Sequence, residues 1–565
     1  MASKSTSFEV QVLQDERWVL NKIIDDEGAA VEFADNLLTK DNYTGVRVVR
    51  DFARQDGLHS EKVLLEKSKT PQKTEITTST VSEAPVCTEA SDAFGLSARL
   101  IIGRIFRAYL DEVYLTPTEL LHNAREMKRL ADKASLLMNA VDQTARLQAP
   151  QGGEEGKARR DFLHRSWEQL WDRARKAAPE KPPKALSLAE VMAQAGKTRE
   201  DLYYQARVLI SAMLTEKQSW MGKLDKVLFW AAEEGADQHG ALLDGLVADL
   251  LIPADAIQDL LGFQPNLAAA LGKMCDLADG KAEAPPKGAA ESFSALNRMF
   301  AAGRLPEAQE SLFSRVGREL KSTNPLSRNE PSQEFEAYLG LMNRLISADG
   351  VVGGPLMAEG LTHRFVRQQN VGGAAGLQKA IGEVAQELRG RARATVYLMT
   401  LLGAPKTVEA FGDIILKMLN RYAEDRGGID DWTPSRIAPP DRMGALTRCN
   451  KALQACPFLP DKLRTDLATA TDSVLVDYLE QSGIIEKIDK PEDPLAFRAL
   501  RLVKFCASGV LIKGRSLEMA HKRVLGHLRQ PNFEDKFLSS IPDKAQAEKH
   551  LREFHKLLVE SGFNF

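Results

Sequence analysis

Histidine, cysteine and paired carboxylates are the side chains that most often hold metals or move protons, and their spacing in this chain suits neither task. A metal site on a helix needs ligands about one turn apart, and a zinc ribbon needs Cys-x2-Cys pairs. His521 and His527 are six residues apart and His550 and His555 five apart, so neither pair shares a helical face well. Cys449 and Cys456, seven apart, would share one, but Pro457 interrupts that helix. Adjacent carboxylates such as Asp25-Asp26 and Asp430-Asp431 are what a chain with 78 Asp+Glu places on a solvated surface. A nucleophilic serine would sit on a constrained turn, and there is no Gly-x-Ser-x-Gly. The glycine-rich run Val371-Gly372-Gly373-Ala374-Ala375-Gly376 precedes a helical pattern at Leu377. A phosphate cradle also needs a strand before it and Lys-Ser/Thr after it, and both are missing. No catalytic, metal-binding or cofactor-binding residue is assigned.

What remains is basic. Lys513, Arg515, Lys522, Arg523 and Arg529 cluster in a region, Glu492 to Phe565, with 13 Lys+Arg against 9 Asp+Glu. On a helix Arg515, Lys522 and Arg529 recur at intervals of seven and share a face fit for an acidic partner or a phosphate backbone. The cluster lacks the aromatic interleaving and base-reading helix of nucleic-acid binders, so a solvated face is the favoured reading. Arg389-Gly390-Arg391-Ala392-Arg393 is a smaller case. Arg47 and Arg50 belong to an acidic stretch and read as charges on an outer sheet face.

Behind these residues lies a mostly helical chain. Its 565 residues exceed what one core usually serves, and an apolar fraction of 44% is ordinary for globular protein. The net charge near −3, from 75 Lys+Arg and 78 Asp+Glu, removes any whole-chain argument for a nucleic-acid or anionic-membrane partner. Five cysteines without CxxC spacing point to reduced thiols and a cytoplasmic setting. No apolar run approaches the ~20 residues needed to span a bilayer.

Residues 1–68 carry the order strand, strand, helix, strand, strand, a small α+β module whose helix crosses an antiparallel sheet. Its turns fall at Gln14-Asp15-Glu16 and Gln55-Asp56-Gly57. Residues 69–93 are rich in Thr, Ser, Lys, Glu and Pro and read as a disordered tether carrying Cys87, a candidate for oxidation if exposed. Residues 94–280 form a helical domain. Thr116-Pro117-Thr118-Glu119 is a capping box, and Leu120, Ala124, Met127, Ala131, Ala134, Met138, Val141 and Ala145 follow as a heptad seam. The seam predicts a coiled-coil-like hairpin closed by Leu163, Trp167, Leu170 and Ala174, with Trp167 and Trp171 as its largest buried groups. Homodimerisation through the Leu120–Ala145 seam is the runner-up. A second linker, 281–291, contains Pro285-Pro286 and precedes a C-terminal helical domain, 292–565. Within it Leu341 to Arg367 reads as two helices turned at Gly350 and Gly353-Gly354-Pro355, burying Leu341, Leu345 and Ile346 against Leu356, Leu361 and Phe365. Leu341, Ala348, Gly350, Val351, Glu359 and Arg364 recur as Leu500, Ala507, Gly509, Val510, Glu518 and Arg523 at a constant offset of 159.

The fold class is therefore predominantly α, multidomain, with helical hairpins or bundles and a small N-terminal ββαββ module. The function that best fits is a non-catalytic protein–protein interaction, scaffold or signalling-adaptor role, with other proteins as partners. The alternative is an enzyme or small-molecule sensor with its site buried in the C-terminal helical domain. Nucleic-acid binding through the basic face is the weakest of the three.

Overall fold

Alternating apolar residues build the first elements. In this computed structural model, which describes residues 6–14, 17–38, 43, 45–53, 59–68, 76–152, 156–180, 183, 187–198, 200–283, 290–327, 331–369 and 373–563, they are β1 (Thr6–Gln14), β2 (Arg17–Ile24), α1 (Glu27–Leu38), β3 (Gly45–Ala53) and β4 (His59–Ser68). The sheet is antiparallel throughout, in the order β2-β1-β3-β4. Val10 lies opposite Val48 and Val12 opposite Val46, so four valines share one face, and Ala30, Ala34 and Leu37 of α1 cover it. The alanines let the helix sit close to the pleat. On the other face the Arg47 guanidinium lies 4.7 Å from the Trp18 ring centre and donates to Gln11 Oε1 at 2.7 Å. Asp15, Glu16 and the expected turn at Gln55-Asp56-Gly57 lie outside the described residues.

The chain divides into two compact units, Met1–Thr77 and Thr78–Phe565. This division differs from the boundaries that composition suggests. Residues 69–75 lie outside the described residues, but 78–93 pack on the helices. Val81 and Ala84 are buried, Ser79 N–H donates to Ile105 O at 2.9 Å, and Val81 N–H donates to Gln143 Oε1 at 2.8 Å. Averaged polarity hides this segment because two small side chains and two backbone donors suffice to hold it.

The helical unit continues with α2 (Leu96–Ile105), α3 (Arg107–Glu112), α4 (Pro117–His122), α5 (Ala124–Asp132), α6 (Ala134–Gly152) and α7 (Gly156–Ala177). Thr116 and Glu119 form the expected capping box. The heptad seam, however, is cut into three helices. Asn123 leaves helical conformation and its side chain accepts from the amides of Arg125 and Glu126, starting a new helix; Lys133 breaks the next. Leu120, Met127, Val141 and Ala145 of the seam are buried within the unit, while Met138 is exposed. α6 and α7 fold back on each other, tied by Arg160 to Asp142 at 2.6 Å and Arg159 to Gln148 at 2.8 Å. Leu170 and Ala174 are buried there, whereas Trp167 and Trp171 are only half-buried.

Next come α8 (Leu188–Ala195), α9 (Leu202–Leu214), α10 (Trp220–Ala231), α11 (Gly240–Leu250), α12 (Ala254–Leu261), α13 (Leu267–Ala278) and α14 (Ala290–Ala301), then α15 (Pro306–Lys321), α16 (Pro331–Leu345), α17 (Gly354–Gln368), α18 (Gly373–Glu387), α19 (Arg391–Leu401) and α20 (Pro405–Glu424). The chain closes with α21 (Ile429–Trp432), α22 (Pro439–Ala455), α23 (Asp461–Ser482), α24 (Ile484–Ile488), α25 (Leu495–Ala507), α26 (Arg515–Leu528), α27 (Phe533–Ser539) and α28 (Lys544–Glu560). One hydrophobic core runs from Leu188 to Leu558 across the linker expected at 281–291: Leu271 and Leu277 before it and Phe293 and Leu296 after it belong to the same cluster. Pro285-Pro286 lies outside the described residues, and long-range packing decides where a core ends.

Helix ends in this unit are satisfied from a distance. Asp244 of α11 accepts from the Glu307 and Ala308 amides at 2.8 and 2.9 Å, capping α15. Asp249 accepts from the Thr118 amide and from Arg99 Nε, both at 2.8 Å, and Arg99 Nη2 reaches Glu307 at 2.7 Å. Glu233 accepts from the Leu188 amide at 2.7 Å, and Asp472 from the Arg515 and Ser516 amides at 2.6 and 3.1 Å. Glu119 and Lys223 form a fully buried pair at 2.6 Å. Burial moves the carboxyl up and the ammonium down, and each partner opposes the other's shift. His122 is buried between Phe94 and Tyr204, its Nδ1 2.8 Å from Thr118 O. Burial, aided by the charges of Arg207, Arg99 and Arg173, pulls its pKa down from 6.5 to about 3.

These contacts give two expectations. Asp244→Ala removes two charge-assisted bonds at a buried helix start and should cost about 2–4 kcal/mol in urea unfolding, against ~1 kcal/mol for the local cap Ser187→Ala. If Asp244→Ala costs no more than Ser187→Ala, the distant cap adds nothing. As pH falls below 6.5 the unfolded chain protonates His122 and the folded chain does not, so stability drops until about pH 3. His122→Phe should remove on the order of 3 kcal/mol of the loss seen between pH 6.5 and 4. Parallel stability–pH curves for the two proteins would contradict this.

Candidate functional site

The stretch from Leu341 to Arg367 folds as the sequence suggests at its corner and differently at its faces. Gly353 and Gly354 have φ of +70° and +60°, and an antiparallel bridge joins Ile346 to Val351. Leu341, Leu345, Ile346, Leu361 and Phe365 are buried as expected. α16 and α17, however, touch little; α17 packs chiefly on α15 and α18, and α16 on α13. Two glycines allow the first of these contacts. A Cβ on Gly317 of α15 would lie 2.7 Å from Leu356 Cγ, and one on Gly360 of α17 would lie 3.1 Å from Leu320 Cβ. Leu356 is left 37% exposed, where the sequence reading expects it to be buried.

It faces a groove of about 950 Å³ bounded by α15, α17, α18 and α20 and by the end of α19. Pro355, Leu356, Leu377, Ile381, Pro405 and Phe411 give it apolar walls. Gly373 and Ala374, from the glycine-rich helix start, stand at its edge. Its polar side chains are Lys321, Glu359, Thr362, His363, Lys406 and Thr407, with Glu83 reaching it from the segment before α2.

Most of those polar groups are already paired. Glu359 bonds Lys321 through one oxygen and accepts from Thr407 Oγ1 at 3.1 Å through the other. Burial pushes its carboxyl up, but the Lys321 ammonium and the Thr407 hydroxyl outweigh burial and hold it below the usual range. Burial, with Lys321 and Arg367 nearby, lowers the pKa of His363, which is therefore neutral at pH 7. Thr362 Oγ1 donates to Ala358 O at 2.8 Å and lies 2.6 Å from the Tyr397 hydroxyl. Neither threonine has a free base beside it.

The residues singled out from sequence lie elsewhere. Lys513, Arg515, Lys522, Arg523 and Arg529 are exposed on α26 and the turns on either side of it. Arg523 pairs with buried Asp489, which also accepts from Arg498 Nε at 2.7 Å and lies 2.9 Å from His527 Nε2. Arg515 contributes a backbone amide to Asp472. Cys449 is buried and donates to Ala392 O at 3.5 Å, and burial raises its thiol to about 12, as it does those of Cys275 and Cys506. Cys87 is half-buried beside Gln148, its thiol also raised by burial. It borders a smaller apolar cavity of about 130 Å³ between α2, α6 and α7. Among the described residues no three His, Cys, Asp or Glu converge as metal ligands. Sequence reasoning missed Lys321, Glu359, His363, Thr407 and Phe411 because they come from three separate helices of the chain. The available signal was glycine inside the amphipathic patterns of α15 and α17, where helix propensity alone would disfavour it.

The close approach of α15 to α17 gives a test. Gly317→Ala should lower stability by about 1–2 kcal/mol despite its better helix propensity, and adding Leu356→Ala should restore wild-type stability or exceed it. A stable Gly317→Ala single variant in urea unfolding would show that the two helices are not in contact there.

Comparison with known protein families, curated proteins and solved structures finds no match for this chain.

Proposed function

We propose that the protein is a non-catalytic interaction protein, of scaffold or signalling-adaptor type, whose helical unit holds an apolar segment of a partner protein in the groove between α15, α17, α18 and α20. The observation that carries this reading is Leu356, left 37% exposed on the wall of an open-sided groove whose polar groups largely satisfy one another. Walls made of helices suit an amphipathic helix, with apolar anchors one turn apart. Exposed Lys406, which has no ion pair among the described residues, would favour an acidic flank on that helix. The N-terminal α+β module is a separate compact unit and would add a second point of attachment. No described helix is long and apolar enough to cross a membrane. A cytoplasmic location is part of the proposal, supported by five free thiols.

A sensor or enzyme reading has one observation in its favour: about 950 Å³ falls in the range of small-molecule sites. The nucleic-acid reading has less, because Arg523 of the basic cluster is engaged by Asp489.

A photo-crosslinking residue at position 356 of the full chain, expressed in its native host, separates these readings. One discrete protein adduct, lost when Phe411→Asp is added, is the expected outcome. Native mass spectrometry showing a bound small molecule instead, or adducts that survive Phe411→Asp, would overturn the interaction reading.

A further inference from the structure

Four arginines meet on a different face of α15. Arg104 stands near the end of α2 and Arg107 opens α3, while Arg315 and Arg318, three apart, share a face of α15, which packs against α2. Arg107 Nη1 and Arg315 Nη1 both donate to the carbonyl oxygen of Ile252, each at 2.9 Å. Two guanidiniums thus converge on one oxygen just beyond the C-terminus of α11. All four side chains are half-buried.

Carboxylates stand nearby, but few of them bond the four guanidiniums. Asp111 is bonded to Arg107 at 2.6 Å. Glu319 accepts from Ser322 Oγ and from Asn324 Nδ2, at 3.3 and 3.0 Å. Glu83 acts on Arg104 from a distance without bonding it. Among the described residues Arg104 and Arg318 have neither a hydrogen-bond nor an ion-pair partner. Burial and the neighbouring guanidiniums pull Arg318 down to about 10 and lower Arg315, outweighing the opposing charge of Glu319 on both and of Asp111 on Arg315, and burial lowers Arg104 against Glu83. Like charges held together at partial burial are unfavourable unless something neutralises them, and planar guanidinium forks match the oxygens of a phosphoryl group.

We propose that Arg104, Arg107, Arg315 and Arg318 form a binding site for a compact dianion of the phosphate class, with Arg104 and Arg318 supplying the free guanidiniums and the Ile252 carbonyl fixing the other two. The site is independent of the groove reading and stands or falls without it.

The test uses the full chain at constant ionic strength, with inorganic phosphate replacing chloride, read by thermal unfolding and calorimetry. Saturable binding is expected, weakened about tenfold or more by Arg104→Gln or Arg318→Gln, since each removes charge-assisted bonds, and unchanged by the surface control Arg529→Gln. A phosphoserine peptide run in parallel assigns the source: tighter binding than phosphate points to a phosphate ester, equal or weaker binding to the free ion. In phosphate-free buffer Arg318→Leu should leave Tm unchanged or raise it, because it removes a repelled charge. Absence of saturable binding, binding unaffected by the two glutamine variants, or a lower Tm for Arg318→Leu without phosphate would each overturn the proposal.

Discussion

The helical unit depends on carboxylates that reach from one helix to the N-terminus of another. The first amides of any α-helix lack intrahelical acceptors, and the helix dipole concentrates partial positive charge there. Where such an end is buried, an unmet N–H is costly, so the acceptor must come from somewhere. Here it often comes from far along the chain: Asp244 for α15, Asp249 for α4, Glu233 for α8 and Asp472 for α26. Each bond fixes the end of one helix against the side of its neighbour. The opposite ends follow the same logic with the opposite charge. Arg364 donates to the carbonyls of Leu320 at the end of α15 and Asn324 just past it, and Arg393 Nε donates to Ile346 O beyond α16.

This arrangement accounts for much of the buried charge without invoking a reaction. Arg99, Asp249 and Glu307 neutralise one another while tying α2, α11 and α15, and Glu119 serves both its own capping box and Lys223. Against that background the unsatisfied places stand out. They are an apolar wall with Leu356 left in the open, and two arginines without a counter-ion on the far flank of α15. Both border the same helix, at the adjacent residues Gly317 and Arg318, because α15 packs closely on α17 at one face and on α2 at another.

The offset-159 similarity also gains a physical meaning. Arg364 and Arg523 occupy matching places on returning helices, and each reaches the end of an earlier helix, the first through the α15 carbonyls and the second through Asp489 at the end of α24. Glu359 and Glu518 match in sequence but differ in role: Glu359 is paired in the groove, while Glu518 is exposed. The recurrence thus concerns how helices are joined and does not extend to the groove.

Local chemistry in the sequence determined the kinds of element and many of their starts. Alternation fixed the strands of β1 and β3, the Thr116-Glu119 and Ser187-Glu190 boxes fixed the starts of α4 and α8, and glycines fixed the corner before Pro355. Each rests on residues within a few positions of one another, whose preferences do not depend on the rest of the chain. The tertiary structure alone decided that the seam after Leu120 breaks at Asn123 and Lys133, that residues 78–93 pack on the helices, and that one core spans the proline pair at 285–286. It alone brought Lys321, Glu359, Thr407 and Phe411 to one groove and Arg107 and Arg315 to one carbonyl. Helices capped from a distance carry their punctuation elsewhere in the chain, so their mutual placement follows from pairing across tens to hundreds of residues, which no local pattern encodes.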